Sequence, residues 1–550
     1  MKTFGENNNK PTTGPTVSVK TETAGKIGLI GAVTIIIGAV VGCGVFFKNG
    51  GVMRFNHGNG VGMLLGWIIA FVIALATAYS YGEITRCKTK SANSGLAGWA
   101  ERYVGYRFGR FLKIMYPLFY FAIYPMAIGI FAAEAIFNTN PNWAGNPDGI
   151  TGINFWLIVL VAALMVYGLI LMNYLNNKIA GKLSGYLAFS KFIPIGLVLL
   201  GGIVAGCLFP DNNLFSNPHI GDKKGDFDFG GVIASLPGIM FAFDSFLIVG
   251  NVAKQVKNPT KNVPLSIVVS MITAGTIYIL ITIAQIVSGT GDPYTLVDTL
   301  FGNNETLKSV MKVIMSILIF VSVFGGLNSF VFAASNAMQS AIDEEIIIGY
   351  KWFKKISNGK CEAFGGLMLM SITSLIVIAL ICVPSIILNT DAIVDGLTNA
   401  ITVFIFLVYG TVSFMSIMNR KTNKVPVSEV SYQKGQCIAA SIATIGCWGI
   451  AGYCLIKQFL CDPIIVLCDP TIDDNKKWFT GWGLFFDTKR AVMATWQAAV
   501  WFWGFSILFF AIPFIHDLFI KLVYKDYKQP LVWQKTNVSL NSDSSIVMSK

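Results

Sequence analysis

The chain has 550 residues, 54% of them hydrophobic and 13% charged, with a mean hydropathy of +0.62. A soluble protein cannot hide that much apolar surface, so the composition excludes a soluble enzyme or binding module and specifies an integral membrane protein. The net charge of +12 would suggest nucleic acid in a soluble chain; here the positive-inside bias of membrane loops accounts for it, and no nucleic-acid partner is expected.

Residues 1–25 are polar, without an apolar core and small-residue cleavage site, so a disordered tail and no cleaved leader are expected. Apolar runs of the ~20 residues that cross a bilayer follow near 26–47, 60–85, 111–137, 152–173, 183–208, 230–252, 264–288, 309–338, 363–383, 392–417, 437–460 and 495–522. That makes about twelve transmembrane helices in an all-α fold, with a second tail over 524–550. Lys and Arg gather in the loops around 86–113, 178–182, 254–261, 351–360 and 420–434, where they outnumber those on the other side by more than two to one. Both termini are therefore expected in the cytoplasm.

The span centres recur with an offset of about 200 residues. The first span matches the sixth, the second the seventh, the third the eighth and the fifth the tenth. Five is odd, so a second unit over 230–420 enters the membrane from the side opposite to a first unit over 26–209. Such inverted repeats mark secondary transporters, whose binding site lies at the midplane where the first helix of each unit is interrupted. The spans at 437–523, joined by a long external loop, stand outside the repeat.

The first span reads "VTIIIGAVVGCGVFF", with Gly38, Gly42 and Gly44 at its middle. Glycine costs about 1 kcal/mol relative to alanine inside a helix, so the cluster suggests a break; the competing reading is small-xxx-small helix packing. The matching place in the sixth span is "FAFDS", Phe241, Ala242, Phe243, Asp244 and Ser245. A break exposes N–H groups at the start of one half-helix and carbonyls at the end of another. The first attract a carboxylate and the second an ammonium, so paired breaks suit one amino acid.

At these residues the chain resembles the amino acid–polyamine–organocation (APC) superfamily of permeases. "GAVVGCGVF" is similar to its first-helix motif G-x-x-I-G-S-G-I-F. "FAFDSFLIVGNVAKQVKNPTKNVPLSI" is similar to its sixth helix and following loop, where F-A-[FY] leads into E-[VM]-K-N-P-x-[KR]-[NT]-[IV]-P. The resemblance continues through "SGLAGWAERYVGYRFG" and covers residues 26–420. It implies a LeuT-type 5+5 inverted repeat in the plasma membrane. It also implies that the N–H groups of Cys43 and Gly44, beside Gly42, hold a substrate carboxylate. Carbonyls near Val40 and Val41, with those of Phe241 and Asp244, would hold the amine, and Phe241 would be an aromatic gate. Gln255 stands where the family has an acid, and Asn336, in "AASNAMQSA", where it has an arginine. Any inner ion pair built on those two is thereby weakened.

A carboxylate at the bilayer centre costs about 2.5–3.5 kcal/mol, so Asp244 should not face lipid. Three readings stay open: it sits beside the substrate's ammonium, it carries a proton during transport, or it caps the helix break. Lys191, in "LAFSKFIPIGLVLL", either snorkels to the nearby edge or, as the resemblance implies, takes the place of a coupling ion. In the second case it bridges the first helix to the eighth near Ser329 or Ser335. Tyr116, Tyr120 and Tyr124 share one face of the third helix; packing is the ordinary reading, with Tyr120 and Tyr124 also placed to line a cavity. Glu83, Glu134 and Asp395 lie near span ends and read as structural. Cys461 and Cys468 share one extramembrane loop, where a local disulfide is one option.

Three histidines without ligand spacing give no metal site, and no cofactor is expected. Phosphate loops and paired catalytic carboxylates are lacking too, so the chain does not read as an enzyme. The expectation is a secondary transporter moving an amino acid with a proton or against a counter-substrate. A polyamine or organic-cation carrier of the same fold, or a non-transporting receptor or scaffold, are the alternatives.

Overall fold

The structure, a computed structural model, describes residues 27–89, 95–137, 155–175, 185–220, 223–388, 392–426, 432–461, 464, 468 and 495–524. The tails apart from Tyr524, most of the loop beyond Cys461, and the side chain of Asp395 lie outside these residues. Cys461 and Cys468 are both free thiols.

Among the described residues twelve helices are long and apolar enough to cross a membrane. In chain order they are Leu29–Phe47, Gly60–Ile84, Tyr106–Phe137, Phe155–Leu175, Gly185–Leu208, Phe229–Gln255, Pro259–Phe301, Glu305–Asp343, Phe364–Ile387, Gly396–Thr422, Gln436–Lys457 and Ser506–Val523. The third starts earlier than its hydropathy suggests because its basic first turns are paired. Arg110 binds Asp517 of the twelfth span at 2.6 Å, and Lys113 is held by Glu101 and, at 2.5 Å, by Glu344 at the end of the eighth. Buried cations held this way need not end a helix. Glu83 is likewise structural, bound by Arg420 at 2.9 Å.

A five-span repeat is visible in the packing. Contacts come in matched pairs five spans apart: the first on the seventh and the sixth on the second, the third on the fourth and the eighth on the ninth. The fifth packs on the eighth as the tenth packs on the third, and the fourth meets the eighth as the ninth meets the third. The third and sixth spans are the most enclosed, and the fifth and twelfth among the least. A short hairpin, His219–Ile220 paired with Lys223–Lys224, follows the fifth span.

Candidate functional site

The first span is interrupted where its glycines cluster. Its helix ends at Val40, Val41 and Gly42 adopt non-helical backbone, and a half-helix restarts over Cys43–Phe47. It runs on through the helical Lys48 into Asn49–Phe55. The break thus lies at Val41–Gly42, while Gly38 stays helical and Gly44 has a packing role. A Cβ at Gly44 would lie 2.5 Å from the Cα and Cβ of Ala242, so glycine here lets the two interrupted spans touch. Gly44→Ala should therefore force them apart. The expected result is loss of nearly all uptake and about 1–3 kcal/mol of stability, read from radiolabelled uptake and the thermal unfolding midpoint.

The sixth span is interrupted at the residues facing that break. Asp228 caps its start, accepting from the N–H groups of Gly230 and Gly231. The helix ends at Phe243, Asp244 is extended, and a 3-10 helix resumes over Ile248–Gln255. Ser245 takes a left-handed φ of 69°, a conformation costly for a residue with a Cβ and common at ligand sites. The Tyr278 hydroxyl of the seventh span ties the breaks together, donating between Val40 O at 2.8 Å and Ala242 O at 3.1 Å.

Asp244 is buried and enclosed by hydroxyls. Tyr120 and Tyr124 each donate to its Oδ2 at 2.8 Å, and Tyr409 of the tenth span donates to Oδ1 at 2.9 Å. The outer members of the cage are themselves anchored, Tyr120 to Ser245 Oγ at 3.0 Å and Tyr124 to Thr402 Oγ1 at 2.9 Å. The third helix presents these rings through a π-helical turn over Tyr116–Tyr120; a wider turn of this kind re-aims side chains and recurs at functional sites. Tyr120 and Tyr124 stack with centroids 4.3 Å apart. Charge-assisted bonds from three phenols, two on one oxygen, meet most of this carboxylate's acceptor capacity from within the protein.

Lys191 is fully buried, which removes the snorkelling reading. Its ammonium donates to Gly38 O and Val41 O, both at 2.6 Å, the second being a carbonyl within the break in the first span. The eighth span closes over it with two small residues. A Cβ at Gly325 would be 3.4 Å from Lys191 Cε, and one at Gly326 would be 3.5 Å from Nζ.

The structure brings Val40, Val41, Gly42, Gly44, Phe241, Ala242, Phe243, Asp244, Ser245, Tyr120, Tyr124, Lys191 and Ser329 into one region. Cys43 enters by its backbone, and Ser329 packs against Gly38. Ser335 is the exception. It lies six residues further along the eighth span, ~9 Å at the rise of an α-helix, and donates to Phe332 O. The carbonyls expected to meet the amine also differ from a bare set: Val41 O accepts from Lys191, Val40 O from Tyr278 and Phe241 O from Asp244 N. Gln255 and Asn336, which the missing charges seemed to uncouple, are joined by a 3.0 Å amide hydrogen bond. Tyr278, Tyr409 and Thr402 escaped the sequence reading. Each is one hydroxyl in an apolar span, and only the packing reveals its partner.

The geometry defines a class: a multi-pass helical membrane protein with two interrupted spans in contact, a buried lysine at one break and a caged aspartate at the other. The chain belongs to the amino acid permease family, whose model matches residues 31–486. It is similar to the serine/threonine exchanger SteT of Bacillus subtilis, 25% identical over 306 residues, which cover 55% of this chain and 65% of that protein. It is also similar to the large neutral amino acids transporter small subunit 2 of Mus musculus, 25% identical over 330 residues and 56% of each protein. The chain thus spans just under two thirds of the first relative and little over half of the second. Among solved structures, MhsT in complex with L-phenylalanine aligns with a TM-score of 0.49 at 17% identity, covering 78% of this chain and 98% of that one.

Proposed function

We propose that the protein is a secondary transporter, not an enzyme, that moves amino acids across the cell membrane by alternating access. The broken first and sixth helices, one from each of the units 26–209 and 230–420, would rock against a scaffold, with both termini in the cytoplasm. The observation that carries this reading is the contact of two interrupted spans with Lys191 seated on the carbonyls of one of them. The N–H groups of Cys43 and Gly44, free of intrahelical partners at the start of their half-helix, receive the substrate's carboxylate. The amine takes the remaining lone pairs of Val40 O and Phe241 O, since a carbonyl accepts twice. Lys191 couples binding to closure, since its bonds to Gly38 O and Val41 O persist only while the first span keeps its bend. Relatives named as an exchanger and as an amino acid transporter favour exchange of one amino acid for another, with a proton as the other coupling partner. Counterflow in proteoliposomes tests the proposal: labelled amino acid should accumulate in vesicles preloaded with unlabelled amino acid, and binding without accumulation would make the chain a receptor.

On the inner side the sixth span meets the eighth through a neutral pair. Gln255 Nε2 donates to Asn336 Oδ1, and the backbone of Ile27 pairs with Gln255 and Lys257, each bond 2.8 Å. This neutral latch ties the sixth span to the eighth and to the start of the first. Gln255→Glu and Asn336→Arg should each slow exchange when made alone, because each leaves a partly buried charge without its counterpart. Together they should recover closure with a coupling of about 1–3 kcal/mol, measured as exchange rate in a double-mutant cycle; strictly additive effects would show that the two side chains do not act as a pair.

A further inference from the structure

Lys48 lies in the helical joint between the half-helix 43–47 and the helix 49–55, at the end of the first span away from the latch. It is 7% exposed, unusually low for a lysine at the end of a half-helix. Its ammonium stands 4.7 Å from the ring centroid of Phe241 and 5.9 Å from that of Phe131. Its stem runs past Gly238, one turn before Phe241, where an added Cβ would lie 4.0 Å from Lys48 Cδ. Phe241 packs edge-on against Phe131 at 6.4 Å, and Phe131 stacks on Phe47 at 5.6 Å. On the side of the site, Phe241 meets Tyr124 at 5.9 Å, the ring whose hydroxyl binds Asp244. The order of layers is therefore Lys48, Phe241, Tyr124, Asp244.

We propose that Lys48 is a positioning residue that holds Phe241 as the outer lid of the site. The inference rests on the transport reading. The lid and the cation belong to different interrupted spans, Phe241 to the sixth and Lys48 to the first. For the Phe241 side chain to swing out of the way of the site, its ring must leave the ammonium. A cation over an aromatic face in a desolvated place is strong enough to shift such an equilibrium by about tenfold. Lys48 touches the lid and is not among the groups proposed to hold the substrate, so its loss should speed escape of bound substrate while leaving the transport step itself intact.

The test is counterflow in proteoliposomes with an amino acid that the wild-type protein exchanges. Lys48→Met, which keeps the stem and removes the charge, should raise KM about tenfold with Vmax little changed, and Lys48→Arg should restore KM. In the Lys48→Met/Phe241→Leu double variant the KM should be no worse than in Phe241→Leu alone. Multiplying effects, or an arginine variant as poor as the methionine one, would overturn the proposal. Phe241→Trp provides an arm independent of any misfolding of the lysine variants: a richer ring should lower KM, and a KM equal to that of Phe241→Leu would overturn the proposal as well. If the wild-type protein binds amino acid but exchanges none, the transport reading fails separately. The lid is then judged by dissociation of bound amino acid, which Lys48→Met should accelerate by about the same factor; an unchanged rate would overturn it.

Discussion

Asp244→Asn should reduce uptake by at least ~100-fold, and by the same factor for neutral, anionic and cationic amino acids. The reason is the cage. Tyr120, Tyr124 and Tyr409 all donate to this side chain, and they come from spans three and ten while Asp244 ends the first half of span six. Hydrogen bonds to a charged group contribute about 1.5–3 kcal/mol each. An asparagine keeps one acceptor oxygen and offers an NH₂ where a phenol already points its proton. At least one tyrosine hydroxyl is then left buried without an acceptor, and the thermal unfolding midpoint should fall with activity. Tyr409→Phe, which removes the single donor on Oδ1, should show a milder form of both effects, about 1.5–3 kcal/mol in stability. Uptake assays with substrates of each charge decide between the roles: a loss confined to cationic substrates would mean that Asp244 pairs with the substrate and that the cage opens to admit it.

Lys191→Ala should abolish uptake driven by a pH gradient and lower exchange at least ~100-fold. The side chain is wholly buried, and its ammonium occupies two carbonyls of the first span. Each buried carbonyl stripped of its donor costs about 1–3 kcal/mol, and the bend at Val41–Gly42 loses its brace to spans five and eight. Lys191→Met fills the space without the bonds, so it separates charge from volume. It should be as inactive as alanine while remaining better folded by thermal unfolding. Full activity in the methionine variant would reduce Lys191 to a space-filler.

Much of this arrangement was legible in the residues. Helices long enough to cross a bilayer announce themselves by hydropathy alone, and three glycines at mid-span located the first break to within a few residues. Asp244 drew attention because a carboxylate surrounded by apolar side chains needs partners, and Lys191 for the same reason. Who those partners are is a tertiary matter. Tyr409 lies 165 residues from Asp244, and no local pattern marks it among the apolar residues of "IFLVYGTVSF". The π-helical turn at Tyr116–Tyr120 changes which way the third helix faces, so a spacing of four gave the shared face of the tyrosines without its destination. Gln255 and Asn336 show the opposite failure: comparison with charged residues suggested a lost contact, yet two amides complement each other as donor and acceptor. The resemblance left Ser329 and Ser335 as alternatives beside Lys191, and the small residues Gly325 and Gly326 bring the lysine to the earlier turn, that of Ser329.

The central claim is that the facing breaks hold an amino acid and release it on alternate sides. Counterflow of each of the common amino acids, into proteoliposomes preloaded with the same compound, tests it most directly. At least one should rise transiently above its equilibrium level in vesicles containing the wild-type protein and stay at equilibrium with Gly44→Ala. Saturable binding to the wild-type protein with no overshoot for any amino acid would contradict the account.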